Sequence, residues 1–193
     1  PMLYWLINRW VIPLIDQEKS PIYDEIPNIH HAMIIAGFGR FGQIIARIAH
    51  LQHQSFTAID SNLEKVDFVR NYGSTLYYGD ATQPYILRAA GIEHAKVFVL
   101  AIDDIEDSMN VARNIRLNYP DLKILVRARD RHHVHLLRDL GVEHIWRETY
   151  LSSLDMAYRA LRELGVSEAD AFKSLELFRD YDEKLLAQQQ RVY

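Results

Sequence analysis

Three glycines, Gly37, Gly39 and Gly42, stand at Gly-x-Gly-x-x-Gly spacing directly after the apolar run Met33-Ile34-Ile35-Ala36, with Phe38, Arg40 and Phe41 between them. Residues of these types in this order bind a phosphate. The first glycine permits a tight turn, the second lets the anion reach the backbone, and the third lets the next helix pack on its strand. N–H groups at that helix N-terminus then face the anion. The motif needs an acid at the end of the next strand. Asp60 supplies it after Phe56-Thr57-Ala58-Ile59, where a carboxylate accepts hydrogen bonds from a ribose diol. Ser61 and Asn62 follow, with no arginine placed for a 2′-phosphate, so the pattern does not favour NADP.

The same reasoning applies at the other strand ends. Asp80 and Ala81 either meet an adenine edge or form a turn that caps the next helix. Ala101-Ile102-Asp103-Asp104 closes another strand. Here Asp104 reads as a helix N-cap, with Glu106 and Asp107 complementing the dipole, and a metal site in this acidic cluster is the weaker reading. Arg127 and Arg129 alternate at a strand end, either clamping an anion or pairing with Asp130 and Glu148. Arg40 either folds over a phosphate or reaches outward to a carboxylate. His132, His133 and His135 lack a third ligand at suitable spacing and read as a solvated surface.

Apolar runs and helical spacings set the elements that must hold these residues. Strands are expected at 33–36, 56–59, 75–78, 96–102, 123–126 and 142–145, alternating with helices at 43–49, 61–72, 84–90, 105–119 and 132–140. Such alternation with short links predicts an α/β fold, a Rossmann-like doubly wound parallel sheet of six strands. After Thr149 the strands stop and two helices follow, 149–164 and one running from the Ser167 cap toward Gln190. Phe172, Leu175, Phe178, Tyr181 and Leu185 form an apolar stripe on the second, which reads as a dimer contact or as packing on the chain's own sheet. Residues 2–15 are apolar and aromatic but too few to span a bilayer alone. They are either an amphipathic helix packed on the domain or the end of a membrane helix. Residues 16–28, with Pro21 and Pro27, read as a linker.

The composition narrows the function. Forty-nine per cent hydrophobic residues suffice for a core, and a net charge of −4 with no basic stripe argues against nucleic acid as a partner. Cysteine is absent, so recognition of any thiol compound is non-covalent. Fewer than 50 residues follow Ile145, too few for the substrate domain of a dehydrogenase, and no Ser-His-Asp or Cys-His set appears. The chain therefore reads as a ligand-binding regulator, with a compact NAD-dependent oxidoreductase and a fold with an empty crevice as rivals.

Four ordered motifs carry a resemblance: Ala36-Gly37-Phe38-Gly39-Arg40-Phe41-Gly42-Gln43, Tyr78-Gly79-Asp80-Ala81-Thr82, Ala101-Ile102-Asp103-Asp104 and Arg127-Ala128-Arg129-Asp130. Together they closely resemble the cytoplasmic KTN (RCK-type) domain of bacterial Kef glutathione-gated potassium efflux systems. The resemblance implies that residues 1–15 end the last transmembrane helix of an inner-membrane protein and that 16–30 form the linker. It implies a nucleotide-binding domain over 31–148 and a helical dimerisation and glutathione region over 149–193. It further implies a homodimer attached to a membrane transport domain of the same polypeptide, with AMP or NAD(H) at the glycine loop. Glutathione between subunits would close potassium–proton exchange, and its S-conjugates would open it. Arg40 matches one glutathione contact and Arg138 a second. Many members also recruit a flavin quinone oxidoreductase as an ancillary subunit.

Overall fold

A computed structural model describes residues 31–62 and 75–189. The expected N-terminal segments, the helix expected from Ser61 to Tyr72 and the last residues of the chain lie outside them. Among the described residues no helix is long and apolar enough to cross a membrane.

Strands β1 (Met33–Ala36), β2 (Phe56–Asp60), β3 (Thr75–Tyr78), β4 (Val97–Leu100), β5 (Lys123–Ala128) and β6 (His144–Arg147) pair in parallel in the order β3-β2-β1-β4-β5-β6. Five strands form the body of the sheet, and the half-exposed β6 trims one edge. Helices α1 (Arg40–Leu51), α2 (Pro84–Ala89), α3 (Ile105–Asn118), α4 (Arg131–Asp139), α5 (Tyr150–Glu163) and α6 (Glu168–Gln189), with a short 3-10 helix at Ile92–His94, complete the described elements. The doubly wound expectation holds, and the order reverses between β1 and β4. That reversal opens a crevice outside the strand ends.

Alternation along the strands builds a core on each face. Ile34, Ile59, Phe98 and Leu100 point into one cluster with Val111, Ile115 and Leu137 of α3 and α4. Ile35, Ala58 and Val99 point into the other, with Ala46 of α1. A buried parallel sheet needs apolar residues on both faces, which is why these strands read as continuous apolar runs rather than as alternating ones.

Two expectations are corrected. The sixth strand begins at His144, not Val142. Val142 is apolar for a different reason: Gly141 turns the chain at φ +70, and Gly141 and Val142 donate N–H groups to the carbonyls of Arg138 and Leu137, closing α4. The buried Val142 side chain belongs to that helix stop. Second, the histidines are not a solvated surface. His132 is exposed, but His133 and His135 are buried against the sheet.

Candidate functional site

The glycine loop is stitched to both neighbouring strands. Gly37 donates its N–H to the Ile59 carbonyl at 2.9 Å, and the Ala101 N–H donates to the Ala36 carbonyl at 2.7 Å. At φ +90 a side chain on Gly37 would be strained, and its Cβ would lie 2.6 Å from the Ala101 backbone. On Gly42 a Cβ would lie 2.2 Å from the Gly37 carbonyl oxygen, so close packing of α1 on β1 excludes one. Gly39 differs: nothing lies within 4 Å of the Cβ it lacks, and no side chain caps α1. Open space beside an uncapped helix start can receive a phosphate.

Asp60 is buried at the end of β2 and is already engaged. Its Oδ2 accepts the Phe38 N–H at 2.6 Å, and its Oδ1 accepts the Asn62 N–H at 2.8 Å. The carboxylate thus orients the loop. Asp80 forms a turn, its Oδ1 accepting from the Thr82 N–H at 2.9 Å and the Thr82 hydroxyl at 2.7 Å. Asp104 caps α3 by accepting the Asp107 N–H at 3.0 Å. Burial, reinforced by Asp104, Asp80 and Glu106, pushes the Asp107 carboxyl above its ordinary pKa.

These elements enclose a crevice of about 210 Å³. Gly37, Gly39, Asp60, Ser61, Asp80, Ala81, Ala101, Ile102 and Asp103 line it, as do Ile59, Gly79, Thr82, Asp104 and Asp107. Phe38 and Gly42 are buried beneath the loop, Phe41 is half-buried and Arg40 points outward. The lining sets a carboxylate at the β2 end, a small Ala81 at the β3 end and open backbone at Gly39 around one space.

Arg127 and Arg129 do not form a clamp. Arg127, 5% exposed, is ion-paired to both Asp103 and Glu148, donates from Nη1 to the Ala101 carbonyl at 3.2 Å and lies 5.9 Å from the Phe41 ring centroid. Burial opposes its charge, but the hydrogen bonds it donates to Glu148 and Asp103 prevail and raise its pKa above the ordinary value. Glu148 also approaches Arg40 at 3.7 Å, so Arg40, 94% exposed, reaches a carboxylate. Arg138 lies exposed on the last turn of α4, away from the crevice lining.

Arg129 lines a second cleft of about 570 Å³ under α5 and α6. Its walls include Leu154, Ala157, Leu161, Leu175 and Phe178, and Arg129, Asp130, Arg131 and Arg147 also line it. Asp182 of α6, 3% exposed, pairs with Arg147 and, at 3.5 Å, with Arg131. The Arg147 guanidinium sits 3.7 Å from the Tyr150 ring centroid. Sequence reasoning missed Arg147 because ending β6 at Ile145 left it beyond the strand. Its signal was the rule that had found Arg127, a basic residue at a strand end. Asp182 carried no such signal, since it is one of six acids on α6.

Phe172, Phe178 and Tyr181 of the expected stripe are largely exposed, Leu175 and Leu185 are half-buried, and α6 packs instead through Ala171, Asp182 and Leu186.

Residues 33–148 match the model of the TrkA-N domain family, and residues 152–193 match that of the potassium efflux system KefB C-terminal domain. The chain is similar to the Kef C-terminal domain of Shewanella denitrificans, solved in an AMP-bound form, with 33% identity over 83% of this chain and 98% of that one and a TM-score of 0.75. It shares its fold with the TrkA-N domain of the inner membrane protein ybaL from Escherichia coli, at 22% identity over 71% of this chain and 98% of that one, with a TM-score of 0.61. The GsuK channel bound to NAD is also alike in fold, with 15% identity, a TM-score of 0.64, and 82% of this chain matching 29% of that one.

Proposed function

Since the chain belongs to the TrkA-N family and is a KTN domain of a Kef potassium efflux system, we propose that it regulates transport by sensing a nucleotide in the crevice beside Gly39. One observation carries the reading. The loop is fixed by Gly37, Gly42 and Asp60 while the space at Gly39 is left clear for a phosphate. AMP and NAD(H) are the candidates, and the Shewanella relative is described with AMP. A thermal-shift series with AMP, NAD, NADH and NADP tests this. A ligand at about 100 times its Kd adds about 2.7 kcal/mol to the folded state. A clear rise in Tm with AMP or NAD(H) is expected, and no shift with any of them overturns the reading.

A second ligand site is favoured by the cleft under α5 and α6, where Arg129, Arg131 and Arg147 meet an apolar wall. Glutathione has two carboxylates and a small thiol side chain, so the exposed Arg129 suits one end and the wall meets an S-substituent, while Arg131 and Arg147 stay paired with Asp182. We assign it there rather than to Arg127, which is committed to Asp103 and Glu148, or to Arg138. Arg40 joins the site if a second copy brings it near, and the exposed Phe172, Phe178 and Tyr181 are the surface on which a homodimer would form. A ligand moves such an equilibrium only by its differential affinity for two arrangements. Titration with glutathione and an S-alkyl glutathione, read in wild type, Arg129→Ala and Arg40→Ala, tests the assignment. Unchanged affinity in Arg129→Ala rejects the cleft, and unchanged affinity in Arg40→Ala removes Arg40. The membrane transport domain would receive the signal through residues 1–30. Steady turnover of NADH with carbonyl or quinone substrates would instead favour the oxidoreductase reading.

A further inference from the structure

The turn between β5 and α4 is closed by two reciprocal hydrogen bonds. Asp130, the N-cap of α4, accepts the His133 N–H at 2.8 Å, and the His133 ring in turn accepts the Arg129 N–H on Nδ1 at 3.3 Å. This is the logic of a capping box, in which a side chain three residues into the helix reaches back to a free backbone donor. Glutamate or glutamine ordinarily fills that position. Here the acceptor is an imidazole, and it accepts only while Nδ1 carries no proton. The ring is 1% exposed, and its Nε2 finds no partner among the described residues. We infer that this turn is a proton-operated catch: a proton on His133 removes the bond to Arg129, opens the turn and moves the residues it carries at the wall of the second cleft.

The surroundings set where the catch releases. Burial pushes the ring below the ordinary 6.5, and of the nearby charges only Asp130 favours a proton on it, while His132 and Arg127 of β5 oppose one. Arg127 stays charged between Asp103 and Glu148. Asp182 of α6 pairs with Arg131 and Arg147 rather than with the ring. The N-terminus of α4 adds a positive field of its own. The catch is therefore shut at neutral pH and above, and it releases as pH falls through a value below 6.5.

What the turn carries gives the catch its use. Arg129, Asp130 and Arg131 are consecutive, and all three line the cleft under α5 and α6. Arg131 is also one of the two arginines that hold Asp182, so a shift of the turn passes to α6. Occupancy of the cleft and proton uptake by His133 are then linked, each changing the other's affinity by the same factor. That link rests on the ligand reading of the cleft above, whereas the catch itself does not.

Nitrogen and proton NMR of the full chain, followed from about pH 8 to about pH 5, tests the catch. At high pH the ring should be the tautomer with its proton on Nε2. It should titrate below 6.5, with the Arg129 and Arg131 amide signals moving at the same midpoint. His133→Gln keeps an acceptor that does not titrate, so the cap should persist and that midpoint should vanish from the Arg129 amide. An Nδ1–H tautomer, an Arg129 amide indifferent to the ring's titration, or one that titrates unchanged in His133→Gln overturns the catch. If the variant fails to fold, the tautomer and the shared midpoint in the wild type decide alone. Titration with an S-alkyl glutathione at about pH 7.5 and about pH 5.5 tests the link. Affinity should fall severalfold on acidification in the wild type and hold steady in His133→Gln. Equal affinity at both values in the wild type overturns the link. Binding at neither removes the ligand reading of the cleft and the link with it, while the amide titration still judges the catch.

Discussion

The crevice at the end of β1 is walled by backbone, small residues and carboxylates, whereas the cleft under α5 and α6 is walled mostly by aliphatic and aromatic side chains and by three arginines. The first is held by contacts that tolerate no added atom: a Cβ on Gly42 would sit 2.2 Å from a carbonyl oxygen. The second is held by an ion pair between Asp182 and two arginines, which links α6 to the sheet. A site made of backbone has one shape. A site made of side chains on a separately packed helix pair can adopt more than one. The contrast suits a nucleotide that stays in place and a second ligand that comes and goes.

The largest effect expected from breaking this contrast is at the loop. Gly42→Ala forces α1 away from β1 and should cost about 3 kcal/mol in urea unfolding. A cost under about 1 kcal/mol would mean that the crevice is as adaptable as the cleft. Next comes Asp182→Ala, which leaves the poorly exposed Arg147 without a partner and should cost about 2 kcal/mol. Here the AMP-induced Tm rise should persist, and its loss would show that the two regions are not separable. Asp104→Ala removes the α3 cap and should cost about 1 kcal/mol, read by the same unfolding curves.

The smallest effect is a drift with pH. Burial lowers the His133 pKa from 6.5, with Asp130 opposing and His132 and Arg127 reinforcing. The unfolded chain therefore takes up a proton first, so stability is complete above pH 6.5 and declines as pH falls through the lowered value. His133→Gln should flatten the decline of Tm on acidification. An equal slope in the variant would assign the drift to other groups.

Legibility in the sequence follows the same division. The glycine loop, Asp60 and the doubly wound parallel sheet could be read because each depends on local spacing and on a general rule for parallel sheets. The crevice residues followed, since strand ends converge there by topology. Of the partners of Arg127, Glu148 was among the alternatives and Asp103 was not, because which carboxylates reach this guanidinium depends on where three loops meet. His133 and His135 were misread because neighbouring polar residues at a helix start mimic a solvated face. Their burial follows from how α4 lies on the sheet, which helical spacing does not specify. Arg147 was lost by a two-residue slip, caused when Val142 was taken for a strand residue rather than a helix stop.

Arg147 falls within the stretch matched by the first family and Asp182 within the stretch matched by the second. Their ion pair makes the two stretches dependent on each other in structure. A natural or designed exchange of C-terminal helices between relatives must carry a suitable partner for this arginine, or leave a guanidinium with little access to water. The boundary near residue 150 is thus a seam in the pattern of family matches but not a place where the chain can be recombined freely, and chimeras joined there should express well only when the residue opposite position 147 is matched.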